Sequence, residues 1–215
     1  MTVKHQVQKS VLRLDKKSWK DGINFISSFQ DFTSNDIELK IKNNKKVLKF
    51  VSYHIVFREV PGEVTLAINL SNCPNRCKGC HSPDLQENTG QILDKNVLAN
   101  FLDKYGNVIT CVCFMGGDAS PREVEQCSVF LRNQTNGRIK TAWYSGKNNF
   151  PQQCSLQNFD YIKLGAYMEH LGGLDSKTTN QRFYRVDAGK MINMPEVFLK
   201  KEYSNTRNRD IFQVG

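Results

Sequence analysis

The sequence has no hydrophobic run long enough to cross a membrane. Its 215 residues contain no stretch that approaches the roughly 18 to 20 apolar residues of a membrane-spanning helix. The N-terminal segment is polar and rich in lysine, and it has no apolar core of the kind found in signal peptides. We therefore expect a soluble, cytoplasmic protein that has no membrane partner.

A disulfide scaffold is also missing. The seven cysteines are an odd number, and the chain is longer than the small secreted domains that depend on disulfides. Cysteines in this setting serve as metal ligands, catalytic groups or small buried hydrophobic side chains. Four of them lie in strand-like or helical contexts and fit the last role: Cys111, Cys113, Cys127 and Cys154.

Acidic residues are fewer than basic ones, 21 against 30, so the chain carries a net charge of +9. Residues 1–50 hold eleven Lys or Arg and five Asp or Glu, a charge of +6, whereas the remaining 165 residues carry only +3. A basic segment can contact nucleic acid or an acidic protein face, and a solvated surface is the simpler interpretation. We do not expect nucleic acid to be the main partner, because the charge is not concentrated near the cysteines.

The chain divides into three parts by pattern. Residues 1–50 combine a short helical rhythm with alternating apolar positions around a turn, which predicts a small α+β extension made of one helix and a β-hairpin. Its role does not follow from its residues. Residues 51–200 form the predicted core, and residues 201–215 are a polar tail.

Strand-like and helical stretches alternate through the core. Buried-type strands are expected at residues 64–72, 107–118, 138–146 and 159–165. Such alternation argues for βαβ units and a parallel sheet, hence an α/β fold. In these sheets the active site lies at the carboxyl ends of the strands. The cysteine-rich segment and a Gly-Gly pair both fall there.

Two helices have clear end signals. Asp94 precedes an amphipathic stretch that Gly106 closes. The letters "SPRE" then place Ser120 at an N-cap and Glu123 three residues later, which predicts a capping box. Asn136 and the glycine after it end the second helix.

The letters "CPNRCKGC" contain Cys73, Cys77 and Cys80 at C-x3-C-x2-C spacing. Thiolates bind both zinc and iron–sulfur clusters. Structural zinc needs four ligands, and the chain lacks a second C-x-x-C pair, although Cys111 or Cys113 could complete such a site. A zinc-dependent nucleic-acid-binding module therefore stays open as an alternative. Three cysteines on a four-iron cluster would leave one iron free, and an open metal position permits chemistry.

The same letters resemble the signature of the radical S-adenosylmethionine (radical SAM) superfamily. Residues 53–185 resemble, more narrowly, the activating proteins of anaerobic ribonucleoside-triphosphate reductase, through "VPGEVTLAINLSNCPNRCKGCHSP", "CFMGGDASP", "TAWYSG", "FDYIKLGAY" and "TNQRFY". Gly79 stands before the third cysteine, as is typical of that family. The resemblance implies a partial (β/α) barrel with parallel strands.

The resemblance also implies site residues. Cys73, Cys77 and Cys80 would hold a 4Fe–4S cluster whose fourth iron chelates SAM. Gly116, Gly117 and Asp118 resemble the superfamily's "GGE" motif, with Asp in place of Glu, and would approach the SAM amino group. Two further residues would assist: Ser145 near the methionine or ribose of SAM, and Asn72 through a hydrogen bond to a cluster sulfur or as a strand-end cap.

A reaction and its partners follow from the resemblance. An external donor such as a flavodoxin would supply one electron, SAM would be cleaved reductively, and a glycine of the large reductase subunit would lose a hydrogen atom. No catalytic residue is expected beyond the cluster ligands. Activation of another glycyl-radical enzyme such as pyruvate formate-lyase, or a small-molecule reaction like that of carboxy-deazaguanine synthases, is the alternative.

Overall fold

The computed structural model describes residues 47–199. Within that range eight strands form one sheet in the order β3-β1-β2-β4-β5-β6-β7-β8. The strands are β1 Lys49–Val56, β2 Thr65–Leu70, β3 Gln91–Ile92, β4 Cys111–Met115, β5 Lys140–Tyr144, β6 Tyr161–Leu164, β7 Arg182–Asp187 and β8 Lys190–Asn193. The helices are α1 Lys95–Tyr105 and α2 Pro121–Thr135, and short 3-10 turns occupy Pro83–Gln86 and Leu156–Asn158.

The centre of the sheet is parallel. The strands β2, β4, β5 and β6 lie side by side and are the four strands that the sequence predicts. Their register aligns residue 67 with residues 113, 142 and 161. All four carboxyl ends therefore meet at one edge of the sheet, where the cysteine segment begins.

Antiparallel strands flank this centre. β1 pairs with β2 and with β3 on one side, and β6, β7 and β8 pair antiparallel on the other. β1 crosses the boundary that the sequence predicts between the N-terminal extension and the core, at residues 50 and 51. The predicted helix of the N-terminal extension, the first arm of its hairpin and the polar tail lie outside the described residues. The partial barrel stays a prediction, since the sheet described here is open, with β3 and β8 at its edges.

Both helices cover one face of the sheet, which we call the helix face. α1 begins as predicted, because the Asp94 carboxylate accepts a hydrogen bond from the backbone N–H of Val97 at 2.9 Å. Its buried residues, Leu98 and Phe101, pack into the main core. α2 buries Val124, Cys127 and Leu131, as the sequence predicts, and ends at Asn136 in the left-handed conformation. Alternate strand residues complete this core.

The capping box predicted at α2 does not form. Ser120 stands at the N-cap, but its side chain makes no capping hydrogen bond. Its backbone N–H instead donates to the carbonyl of Gly117 at 2.9 Å, so the residue belongs to the turn that joins β4 to α2. Pro121 at the first helical position needs no N–H acceptor, which lowers the need for a cap.

Loops cover the opposite face, which we call the loop face. Its buried cluster comprises Val60, Cys111, Cys113, Ala142, Tyr161 and Phe183. The loop between β1 and β2 is held there, since Tyr144 donates its hydroxyl hydrogen to the carbonyl of Glu59. Met194, Val197 and Phe198 pack against the same cluster. Neither helix within residues 47–199 has the length and apolar character needed to cross a membrane.

Candidate functional site

The three cysteines lie on a loop that leaves the carboxyl end of β2. Two backbone hydrogen bonds hold the start of this loop, from Asn72 N–H to the Glu87 carbonyl and from Cys73 N–H to the Leu85 carbonyl, each at 2.9 Å. The loop turns sharply at three residues with positive φ: Asn72 at 61°, Arg76 at 48° and Gly79 at 70°. These turns fold the cysteine segment over the edge of the sheet rather than letting it extend.

The thiols of Cys73, Cys77 and Cys80 are free and half-exposed. Two of their sulfurs accept hydrogen bonds, Cys73 from Asn75 Nδ2 at 3.7 Å and Cys80 from Ser82 N–H at 3.4 Å. Residues 47–199 contain no group of three His, Cys, Asp or Glu side chains placed around a single metal ion. A four-iron cluster does not require three side chains around one metal ion, because each cysteine binds a different iron. Three accessible thiols on one loop therefore fit such a cluster as a donor set.

Backbone conformation explains both residues of the Gly-Gly pair, and packing explains Gly117 in addition. Gly116 and Gly117 have φ of 100° and 87°, which side chains rarely adopt. A Cβ on Gly117 would lie 2.5 Å from Val124 Cγ2 and 2.8 Å from Leu70 Cδ1. Gly116 donates its N–H to the Tyr144 carbonyl at 2.9 Å, and its own carbonyl accepts from Trp143 Nε1 at 2.6 Å. Both polar groups of Gly116 are thus engaged with β5, and its contact with SAM stays a prediction.

Asp118 joins three segments of the chain. Its Oδ1 accepts a hydrogen bond from Ser145 Oγ at 2.6 Å, and its Oδ2 accepts from Gly146 N–H at 2.8 Å and from Asn75 Nδ2 at 2.5 Å. The carboxylate thereby ties the cysteine loop to the ends of β4 and β5. A Cβ on Gly146 would lie 2.3 Å from Asn75 Nδ2, so a side chain there would displace this amide. The structure brings the predicted residues Asp118 and Ser145 together beside the cysteines.

Asn75, not Asn72, contacts a cysteine sulfur. Asn72 is exposed and forms the turn at the end of β2. The amide of Asn75 instead reaches both the sulfur of Cys73 and the carboxylate of Asp118. The signal that could have indicated this residue is its place two positions after Cys73, from which an amide can fold back to the sulfur.

Lys163 is a second residue that the sequence does not reveal. It lies on β6 with only 8% of its surface exposed. Its Nζ donates to the carbonyl of Gly165 at 2.7 Å. Burial lowers the pKa of Lys163 to about 8, while the negative charges of Asp118 and Cys77 act in the opposite direction.

The segment after β6 packs against the cysteine loop. The rings of His81 and Tyr167 lie 4.4 Å apart between centroids. Glu169 lies over Gly79, where a Cβ would come within 3.1 Å of its Oε2. Gly79 therefore gives the room that this contact needs, in addition to its positive φ.

The remaining cysteines largely take the role that the sequence predicts. Cys111, Cys113 and Cys127 are buried, and burial raises the pKa of each thiol, that of Cys127 to about 12. They are therefore protonated at neutral pH. Cys154 differs from the prediction because it is half-buried. Burial and the nearby carboxylate of Glu125 raise its pKa to about 12 as well.

Comparison with known families supports the iron–sulfur interpretation. Residues 60–164 match a family model described as a 4Fe-4S single cluster domain. The matched range contains the three cysteines, the Gly-Gly pair, Asp118 and Ser145. The match supports an iron–sulfur protein with one 4Fe–4S cluster. No curated protein and no solved structure gives a significant match.

Proposed function

We propose that the protein is a radical SAM activase that forms a glycyl radical on the large subunit of anaerobic ribonucleoside-triphosphate reductase. One observation carries the proposal: three free cysteines leave the end of β2 and are tied through Asp118 to the ends of β4 and β5. In open α/β sheets, ligands bind at the carboxyl ends of the strands. The three cysteines and the segment of residues 116–118 share that edge.

We assign roles to the residues on the basis of their contacts. The thiolates of Cys73, Cys77 and Cys80 would bind three irons, and the bound cluster would supply the electron for reductive cleavage of SAM. Asp118 already accepts three hydrogen bonds, which leaves about one of its roughly four acceptor positions for the SAM amino group. Ser145 donates to Asp118 and accepts from Lys147 N–H, so it positions that carboxylate.

The loop face offers room for a polypeptide substrate. A cavity of about 600 Å³ opens there, lined in part by Phe57, Tyr144 and Phe198. Phe57, which lines this cavity, is 69% exposed. The cavity is compatible with a protein partner, but its lining includes neither the cysteine loop nor residues 116–118. A one-electron donor such as a flavodoxin completes the proposed system.

Anaerobic reconstitution tests the proposal. We expect about four irons per chain and SAM cleavage after reduction. Cys77→Ala should lose both, whereas Cys154→Ala, which changes a cysteine outside the loop, should retain them. Full SAM cleavage by Cys77→Ala, or a colourless protein that binds zinc instead of iron, would contradict the proposal.

The identity of the partner needs its own measurement. Reduced protein and SAM are mixed with the reductase large subunit or with pyruvate formate-lyase, and electron paramagnetic resonance detects the glycyl radical. We expect the radical on the reductase alone. A radical only on pyruvate formate-lyase would retain the activase chemistry and replace the partner.

A further inference from the structure

Lys163 faces the loop face of the sheet near its carboxyl edge. Its neighbours on β6, Ile162 and Leu164, point into the core of the helix face, so Lys163 points the other way. The strand register places it beside Tyr144 of β5, which lies beside Met115 of β4. This is the last register row before the strands end and the cysteine loop begins.

A buried lysine without an ion pair is rare, because removing an ammonium from water is costly. Lys163 is about nine-tenths buried. Its Nζ can donate three hydrogen bonds, and the described contact is the one to the Gly165 carbonyl. Among residues 47–199, the ion pairs within 4.0 Å involve other side chains. Within residues 47–199 the ammonium therefore has unused hydrogen-bond donors and no direct counter-ion.

The negative groups that act on this ammonium come from the candidate site. They are the carboxylate of Asp118 and the side chain of Cys77, one of the three proposed iron ligands, which would be a thiolate when it binds iron. Asp118 is already bound to Ser145, Gly146 and Asn75. These three donors are neutral, so the site keeps the charge of Asp118, and a bound cluster with its thiolates would add further negative charge that Lys163 can offset.

We propose that Lys163 is a buried counter-charge for the 4Fe–4S cluster and raises its reduction potential. This inference rests on the proposed function. A 4Fe–4S cluster with three thiolate ligands has a net negative charge, and reduction adds one more electron. The external donor is oxidised, the cluster is reduced, and no bond forms or breaks. A nearby fixed cation stabilises the more negative, reduced state more strongly, and the effect is large where water is excluded.

The test is a potentiometric titration of the anaerobically reconstituted cluster at pH 7, with dithionite and redox mediators, followed by electron paramagnetic resonance. Lys163→Met removes the charge and keeps the length of the side chain. At the midpoint potential of the parent protein, we expect the ratio of reduced to oxidised cluster in Lys163→Met to be about tenfold lower. This corresponds to a shift of about 59 mV to lower potential. Lys163→Arg should stay within about threefold of the parent protein.

Lys190→Met is the matched control, because Lys190 is exposed on the edge strand β8. Its potential should equal that of the parent protein. An unchanged potential in a fully loaded Lys163→Met variant would overturn the inference while leaving the proposed function intact. A parent protein that binds no 4Fe–4S cluster would instead overturn the proposed function.

Loading of the variants is measured by iron and sulfide analysis. If Lys163→Met does not bind the cluster, the same potentiometric titration is performed on Lys163→Gln. Failure of both neutral variants to load, with full loading of Lys163→Arg, supports the counter-charge, because Lys163→Gln keeps N–H donors and lacks the positive charge. Failure of all three variants means that the lysine acts through its shape, and the inference is wrong.

Discussion

At the scale of single residues, the site depends on a few polar contacts that cross between loops. The carboxylate of Asp118 accepts hydrogen bonds from two other segments of the chain, and the amide of Asn75 links it to the sulfur of Cys73. Such hydrogen bonds to a charged group are worth more than those between neutral groups. The neighbouring glycines serve a different need, because they let the backbones approach one another.

Asn75→Ala removes the amide that joins Cys73 to Asp118. We expect a cluster that still assembles but has a lower reduction potential, because hydrogen bonds to cluster sulfurs raise it. The free energy of unfolding should fall by about 1 kcal/mol with the lost hydrogen bond. Potentiometry and urea denaturation measure the two effects. Asn100→Ala, at an exposed position of α1, is the control, and equal behaviour of the two variants would refute the role of Asn75.

Gly117→Ala tests the packing of the Gly-Gly pair against a matched glycine. Gly137 has a similar φ, 73°, but a Cβ there would meet nothing within 4 Å. Gly137→Ala should therefore cost only backbone strain, about 1–2 kcal/mol. Gly117→Ala should cost roughly 1–3 kcal/mol more, because its Cβ overlaps Val124 and Leu70. Urea denaturation compares them, and equal losses would argue against the overlap.

At the scale of elements, local signals place the two helices, although their caps differ. The side chain of Asp94 caps α1, whereas that of Ser120 makes no capping bond at α2. The turn after the Gly-Gly pair sets the start of α2 instead. A serine at an N-cap position is therefore a good indicator of where a helix begins and a poor indicator of what stabilises it.

This difference predicts unequal effects of alanine at the two caps. Asp94→Ala should lower the free energy of unfolding by about 1 kcal/mol, since it removes a capping bond. Ser120→Ala should have a smaller effect, because no capping bond is lost. Thermal or urea unfolding of both variants makes the comparison. A loss at Ser120 as large as that at Asp94 would show that its hydroxyl does cap α2.

At the scale of the whole molecule, a buried carboxylate joins strands at the end of the sheet opposite the cysteines. Glu63 accepts hydrogen bonds from Lys140 at 2.6 Å, and from Thr110 and Tyr161 at 2.7 Å. Burial acts to raise the pKa of Glu63, but these hydrogen bonds outweigh it, so the pKa lies below its ordinary value of 4.5.

The lowered pKa of Glu63 predicts an acid-dependent loss of stability. The ionised carboxylate stabilises the fold above the unfolded-state pKa, and this contribution is lost as pH falls below 4.5 and through the lowered pKa. Glu63→Gln should be less stable at neutral pH and should lose less stability than the parent protein between pH 6 and 3. Urea denaturation across that range measures both slopes.

The control for this prediction is an exposed carboxylate. Asp187 forms an ion pair with Arg185, and both side chains are more than half exposed. Asp187→Asn should therefore leave the pH dependence of stability unchanged. If Glu63→Gln and the parent protein lose stability in parallel on acidification, Glu63 does not contribute as its contacts indicate.

Much of the parallel centre follows from local sequence. The four predicted strands and both helices are present, because hydrophobic periodicity and end signals depend on neighbours within a few residues. The antiparallel strands β7 and β8 were not predicted. Their residues are largely exposed and show little alternation of apolar and polar side chains. Their place in the sheet depends on the pairing of β7 with β6.

The sequence by itself determined the cysteine spacing, the Gly-Gly-Asp segment and the order of the central elements, since each is a short-range pattern. Only the tertiary structure decided that Asn75 rather than Asn72 contacts a cysteine sulfur, and that Lys163 is buried near the site. Asn75 and Asp118 are 43 residues apart. Their contact exists because β2 and β4 are neighbours in the sheet, and strand neighbours are chosen by the packing of the whole core.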